Sequence, residues 1–148
     1  EALAAGQHFM FGADASISES DYRARVKSAR ADFENMAHML PIAHAAGVKI
    51  AVGDDYGVAF LPHGDYACEL EFYVKELGLP ARDVLGWATR GGAALMKQGQ
   101  ELGTIAEGQL ADLLVVESDP EQDISCLRDS NNIRAITVGG AFVKNTLN

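Results

Sequence analysis

The stretch Val48-Lys49-Ile50-Ala51-Val52-Gly53-Asp54-Asp55-Tyr56-Gly57 constrains this chain more than any other. Five residues, four of them apolar, run directly into a glycine, two carboxylates, an aromatic and a second glycine. A run this short predicts a strand buried on both faces, the kind found in parallel sheets and barrels. Asp54 and Asp55 then stand at its C-terminal tip, the end where parallel α/β folds and barrels carry their chemistry. Taken alone, the two carboxylates read equally as caps of a turn or the next helix. The rest of the chain has to choose.

The chain of 148 residues is long enough for one domain with a real core, and 48% apolar residues place it among globular proteins. A net charge of -9 repels phosphate at long range and speaks against nucleic acid or an anionic membrane as partner. No run approaches the roughly 20 apolar residues that a membrane-spanning helix needs. Cys68 and Cys126 are too far apart for a metal knuckle or a CxxC pair. They read as two buried free thiols in a reducing, cytoplasmic setting. The opening Glu1-Ala2-Leu3-Ala4-Ala5-Gly6 reads as the end of a helix closed by Gly6, as in a fragment.

After it, His8 to Phe11 predicts a short strand, with Asp14 near its tip. Ser16-x-x-Glu19 and Ser18-x-x-Asp21 are overlapping capping patterns. The helix they introduce carries Tyr22, Val26, Ala29, Phe33 and Met36 on one stripe, kinks or restarts at Pro41 and ends at Gly47. His38 and His44 are six apart, which denies them the shared face of an i, i+4 metal pair, and both read as structural. A loop with Pro62-His63-Gly64 leads to Asp65 as the cap of a helix burying Leu70, Tyr73, Val74 and Leu77. Pro80 starts another helix, lined by Val84, Leu85, Ala88, Leu95 and Met96. Gly91-Gly92 inside it mark close packing against a neighbour. From Gly99 the texture changes. Gly103 to Gly108 reads as strand and turn, Leu110 to Val116 as a strand, and Ile133 to Val138 and Ala141 to Lys144 as a hairpin about Gly139-Gly140.

This order of motifs resembles a known family. A strand ending in Gly-x-Asp is followed by Pro-His-Gly, then by Leu79-Pro80-Ala81-Arg82-Asp83-Val84-Leu85 with Ala88-Thr89. Next comes Gly103-Thr104-Ile105-x-x-Gly108-x-x-Ala111-Asp112-Leu113, the most specific piece, and after Asp119-Pro120 a terminal hairpin. Together they resemble the C-terminal third of metal-dependent amidohydrolases, in the branch of imidazolonepropionase and Xaa-Pro dipeptidase. The resemblance implies an α/β fold. Residues 1–97 would supply the last βα units of a (β/α)8 TIM-like barrel, and residues 98–148 strands of a small composite β-sandwich.

The resemblance also implies the chemistry. Asp55 aligns with the family aspartate that ends the eighth strand, binds the metal and accepts a proton from the metal-bound water. His63 and Tyr56 fall on the substrate side. The cofactor implied is a divalent metal, Zn2+ by expectation, as one or two ions. A metal brings the pKa of its water from about 15.7 to near 7 and polarises the scissile carbonyl, and a nearby carboxylate can pass the proton to the leaving nitrogen. The substrate is a small amide-type molecule: a dipeptide, an N-acyl amino acid, a urea, a carbamate or a cyclic amide. The family's remaining ligands, a His-x-His, a lysine and two further histidines, have no match at family spacing among His8, His38, His44 and His63. One carboxylate does not hold a catalytic zinc, which takes three protein ligands. The chain is therefore expected to be inactive alone and to partner with an N-terminal part of the same enzyme; self-association stays open. Two other readings stand beside this one: a haloacid-dehalogenase-like phosphatase using Val-Gly-Asp-Asp, and a non-catalytic interaction module in which Asp54 and Asp55 are loop caps.

Overall fold

The computed structural model describes residues 18–53, 56–57 and 63–147. The predicted helix end at Gly6, the strand at His8 to Phe11 and Asp14 lie outside the described residues, as do Asp54, Asp55 and Pro62. The chain divides into two compact units, Glu1–Val48 with Asp55–Gly64, and Lys49–Asp54 with Asp65–Asn148.

In the first unit the main described element is α1, Glu19–Ala45. The second of the two capping patterns operates; Ser16 of the first lies outside the described residues. The Ser18 hydroxyl accepts the Asp21 amide at 3.1 Å and donates to the Asp21 carboxylate at 2.7 Å. The helix does not restart at Pro41; one missing amide in 27 residues leaves the rest of the ladder intact. It closes at Gly47, where the Val48 amide donates to the Ala43 carbonyl (3.0 Å) and the Gly47 amide to the His44 carbonyl (2.9 Å). Gly47 sits at φ +74°, a left-handed position that penalises a Cβ. Gly47→Ala should therefore lower stability by about 1 kcal/mol, measurable as a lower thermal midpoint. Tyr22 is buried, but Val26, Phe33 and Met36 of the predicted stripe are each about 40–50% exposed.

The second unit holds the larger core: Leu70, Leu79, Ala81, Val84, Trp87, Ala93, Ile124 and Ala135. The strand predicted at Val48 to Val52 does not form as part of a sheet; among the described residues the only ladder is elsewhere. A strand buried on both faces needs neighbours to take its amides and carbonyls. Ile50 instead lies against the chain at Gly91, where an added Cβ would overlap its carbonyl oxygen.

Helix α2, Ala67–Lys75, buries Leu70, and the chain turns away at Gly78 (φ +67°). Asp65 does not cap it with its side chain, because Arg128 holds that carboxylate. Pro80 is the N-cap of the next helix, one position earlier than expected. That helix runs as α3, Ala81–Gly86, a π-helical turn at Trp87–Gly91, and α4, Gly92–Leu95. The wider turn rotates every later side chain relative to an uninterrupted α-helix. The buried set is accordingly Ala81, Val84, Trp87 and Ala93, while the expected Ala88, Leu95 and Met96 are exposed. Where the ladder changes, the Thr89 hydroxyl donates to the Leu85 carbonyl at 2.8 Å.

Gly103 to Gly108 is turn only, without the predicted strand. The rest of the β texture forms, with β1 at Leu113–Val116, three residues shorter than the expected Leu110 to Val116, β2 at Ile133–Val138 and β3 at Ala141–Asn145, antiparallel in the order β1-β2-β3. Val138 pairs with Ala141 across Gly139 (φ +55°) and Gly140 (φ +82°). Two successive positive φ values are what a two-residue hairpin turn requires. Leu114, Val138, Phe142 and Val143 remain more than half exposed. Between β1 and β2 lies a 3₁₀ turn, Ile124–Arg128, which packs on α2. Asp123 caps it, accepting the Ser125 amide (3.1 Å) and hydroxyl (2.6 Å). The sequence reading did not anticipate this turn.

Candidate functional site

Of the residues singled out from the sequence, Tyr56 and His63 are described, and Asp55 lies outside the described residues with its neighbour Asp54. Tyr56 is half-buried and His63 exposed. They stand seven positions apart in the chain, and His63 lies against Gly57, the residue after Tyr56. Gly57 takes φ +101°, and a Cβ built on it would stand 2.7 Å from His63 Nε2. The imidazole thus lies on the face of a residue that has no side chain, immediately after Tyr56. The left-handed backbone makes Gly57 a glycine, while the His63 ring, at the far end of an exposed side chain, can turn aside from an added Cβ. The signal for this was in the sequence, as a glycine six residues before a histidine that is itself followed by Gly64, but nothing in that spacing specifies contact.

Just beyond the loop, within the second unit, charge is concentrated. Arg128 grips Asp65 with both arms, Nε to Oδ1 at 3.0 Å and Nη2 to Oδ2 at 2.6 Å, and Nη1 reaches Glu71 Oε2 at 2.8 Å. Lys75 bonds Glu71 Oε1 at 2.8 Å and approaches Asp123 Oδ1 at 3.4 Å. The Glu71 carboxyl is held below its ordinary value by the Lys75 hydrogen bond and then by that from Arg128. The Asp123 carboxyl is lowered by the Ser125 hydroxyl and then its amide. These groups hold one another and the 3₁₀ turn against α2; a lone arginine among turn residues gave no sequence signal for it. The Cys126 thiol is pushed up by burial and then by Asp123, which suits an inert thiol rather than a nucleophile. Both cysteines are free.

Among the described residues no three His, Cys, Asp or Glu side chains gather where they could hold a metal ion. His38 and His44 sit on α1, and His63 on its loop. The described part of the chain by itself does not fit a catalytic metal, which needs three protein ligands. Nor does any described helix have the length and apolarity to cross a membrane.

A model of the amidohydrolase family matches residues 1–143. The chain belongs to the amidohydrolase family. Ochratoxinase from Aspergillus niger is 30% identical to this amidohydrolase chain over 100 residues, which is 67% of the chain and 20% of that protein. Imidazolonepropionase from Thermoanaerobacter pseudethanolicus is 28% identical over 71 residues, 48% of the chain and 17% of that protein. Among solved structures, a Xaa-Pro dipeptidase with methionine bound in its active site superposes with a TM-score of 0.72 at 30% identity, covering 97% of this chain and 33% of that one. The chain thus spans about a fifth of the length of the curated relatives it matches. Membership of this family leaves the phosphatase reading of Gly53-Asp54-Asp55 without support.

Proposed function

We propose that this chain is part of a metal-dependent hydrolase that cleaves a C–N bond in a small amide-type substrate. The observation that carries the reading is the likeness, over nearly the whole chain and at 30% identity, to a Xaa-Pro dipeptidase; relatives named for imidazolone and ochratoxin substrates support the same bond class. In this reading residues 1–97 belong to a (β/α)8 barrel and residues 98–148 to a β-sandwich. Asp55 is a metal ligand and the base that moves a proton from the attacking water to the leaving nitrogen. His63 and Tyr56 face the substrate. The metal, Zn2+ by expectation, takes its other ligands from residues that this chain lacks. The bare apolar residues of α1 and of the sheet are consistent with faces that further polypeptide covers.

The test uses the complete gene product that contains these residues, loaded with zinc and offered dipeptides, N-acyl amino acids and cyclic amides. At least one should be hydrolysed, activity should vanish on chelation and return with metal, and the 148-residue chain alone should be inactive. A metal-replete, folded product that hydrolyses no C–N substrate overturns the reading.

A further inference from the structure

A cavity of about 310 Å³ lies between the helix that carries the π-helical turn and residues 103–105, wholly within the second unit. Its volume is at the small end of the range for ligand pockets. Arg82, Thr89, Arg90 and Thr104 supply its polar lining, and no carboxylate is among the residues that line it. Both hydroxyls are already engaged as donors, Thr89 to the Leu85 carbonyl at 2.8 Å and Thr104 to Gln109 Oε1 at 2.6 Å. Recognition therefore falls to the two guanidinium groups. Arg82 gives its Nε to Glu121 at 3.0 Å and keeps its other nitrogens. The Arg90 side chain makes no hydrogen bond or ion pair with the described residues.

The two arginines share this cavity because of the π-helical turn. Eight α-helical steps leave two side chains about 80° apart around the axis. The turn at Trp87–Gly91 takes up one extra residue, so the eight positions from Arg82 to Arg90 cover what seven would, and the separation falls to about 20°. Gly86 supplies the room between them. A Cβ built on it would stand 2.7 Å from Arg90 Nη2, so the guanidinium lies back along the helix, over a position with no side chain and toward Arg82. Single π-helical turns of this kind recur at functional sites.

We propose that this cavity binds a small molecule through a carboxylate or phosphate group held between Arg90 and Arg82. The planar fork of a guanidinium matches both oxyanions and can take either with two parallel hydrogen bonds. Arg90 is the main anchor, since no carboxylate of the described chain competes for it, whereas Glu121 already offsets part of the Arg82 charge. A chain of net charge -9 exerts no general attraction on anions, so binding depends on these two side chains. The proposal does not rest on the hydrolytic reading, because none of its residues takes part in that chemistry.

The experiment titrates inorganic phosphate and, separately, succinate into the complete gene product by calorimetry at constant ionic strength, with a thermal melt of every variant. The parent should bind at least one of the two, and which one it prefers tells a phosphate ligand from a carboxylate. Arg90→Gln should weaken that binding about tenfold or more, the worth of a hydrogen bond to a charged group, and Arg82→Gln by less. Gly86→Ala is the sharper probe. Gly86 has ordinary helical backbone angles, φ -62° and ψ -35°, so alanine suits the helix, yet its methyl pushes the Arg90 guanidinium aside. It should weaken binding while the melting midpoint stays level or rises. Arg23→Gln makes the same charge change on α1, in the other unit, and should bind like the parent. A parent that binds neither anion overturns the proposal. So does an affinity in Arg90→Gln equal to the parent's, which would put the bound ion elsewhere, and so does an equal loss in Arg23→Gln, which would reduce the effect to net charge.

Discussion

Asp55→Asn, in the complete metal-loaded enzyme, should lower kcat/KM by at least the 10²–10⁴-fold, approximately, that general-base catalysis is worth, and further if bound metal is lost with it. Asparagine keeps the shape of the side chain and removes its charge, so it can neither take a proton at neutral pH nor offer the metal an anionic oxygen. Asp54→Asn should be milder. Asp54 does not align with the family aspartate, so on the proposed reading it serves at most to support Asp55. A residue that acts only by supporting a ligand costs about 10–100-fold when lost. The measurement is kcat/KM and bound metal for both variants, with a thermal melt for each. An inactive Asp54→Asn beside a normal Asp55→Asn would show that the wrong carboxylate was chosen, and two active variants would remove the site assignment altogether.

What the sequence made legible follows from how local each determinant is. The hairpin of Ile133–Val138 and Ala141–Asn145 was readable because β-branched residues and two consecutive glycines specify it within a dozen positions. The start and end of α1 were readable for the same reason, since Ser18, Asp21 and Gly47 act on amides and carbonyls within one turn. The errors lie where a distant partner decides. Val48 to Val52 has the composition of a central strand, but a ladder depends on what lies alongside. The buried face of the Ala81–Leu95 helix shifted because a π-helical turn, invisible in a 3.6-residue count, intervened at Trp87–Gly91. Gly91 shows both sides of the matter. Its packing role was foreseen from an unexplained glycine in a helix, but not that a Cβ on Gly92 beside it would meet nothing within 4 Å, whereas one on Gly91 would overlap the Ile50 carbonyl oxygen. Family membership was legible because the Gly103 to Leu113 motif is specific as a string, even though its first half forms a turn rather than a strand. The site was less so. Gly57, which follows Tyr56 in the chain, lies against His63, a contact that spacing does not encode.

The junction of α2 with the 3₁₀ turn offers the second large effect, because two different forces hold it. Ile124 is 1% exposed, one of the two largest fully buried side chains described. Ile124→Ala removes buried methylenes and leaves a cavity, which should cost about 2–5 kcal/mol. In the same place Arg128 joins Asp65 and Glu71, and Lys75 joins Glu71 and Asp123. Apart from Glu71, at 21% exposure, those side chains are well exposed, with 44% of Arg128 accessible, and solvent and ions screen such pairs. Arg128→Ala should therefore cost much less than Ile124→Ala, despite five polar contacts being visible in the network. Acid separates the two contributions. The Glu71 carboxyl, with an ordinary value of 4.5, is lowered in the fold, so its contribution is complete above that value and is lost as pH falls through the lower, folded one. Asp123 behaves in the same sense. The difference in stability between parent and Arg128→Ala should then shrink as the pH is taken from neutral to below 4.5, and shrink with added salt. The difference for Ile124→Ala should stay constant under both, because burial of hydrocarbon involves no proton and no counterion. Thermal melts of the two variants across pH and salt make the comparison. A deficit in Arg128→Ala that matched Ile124→Ala and ignored both variables would mean that the arginine acts chiefly through the packing of its stem.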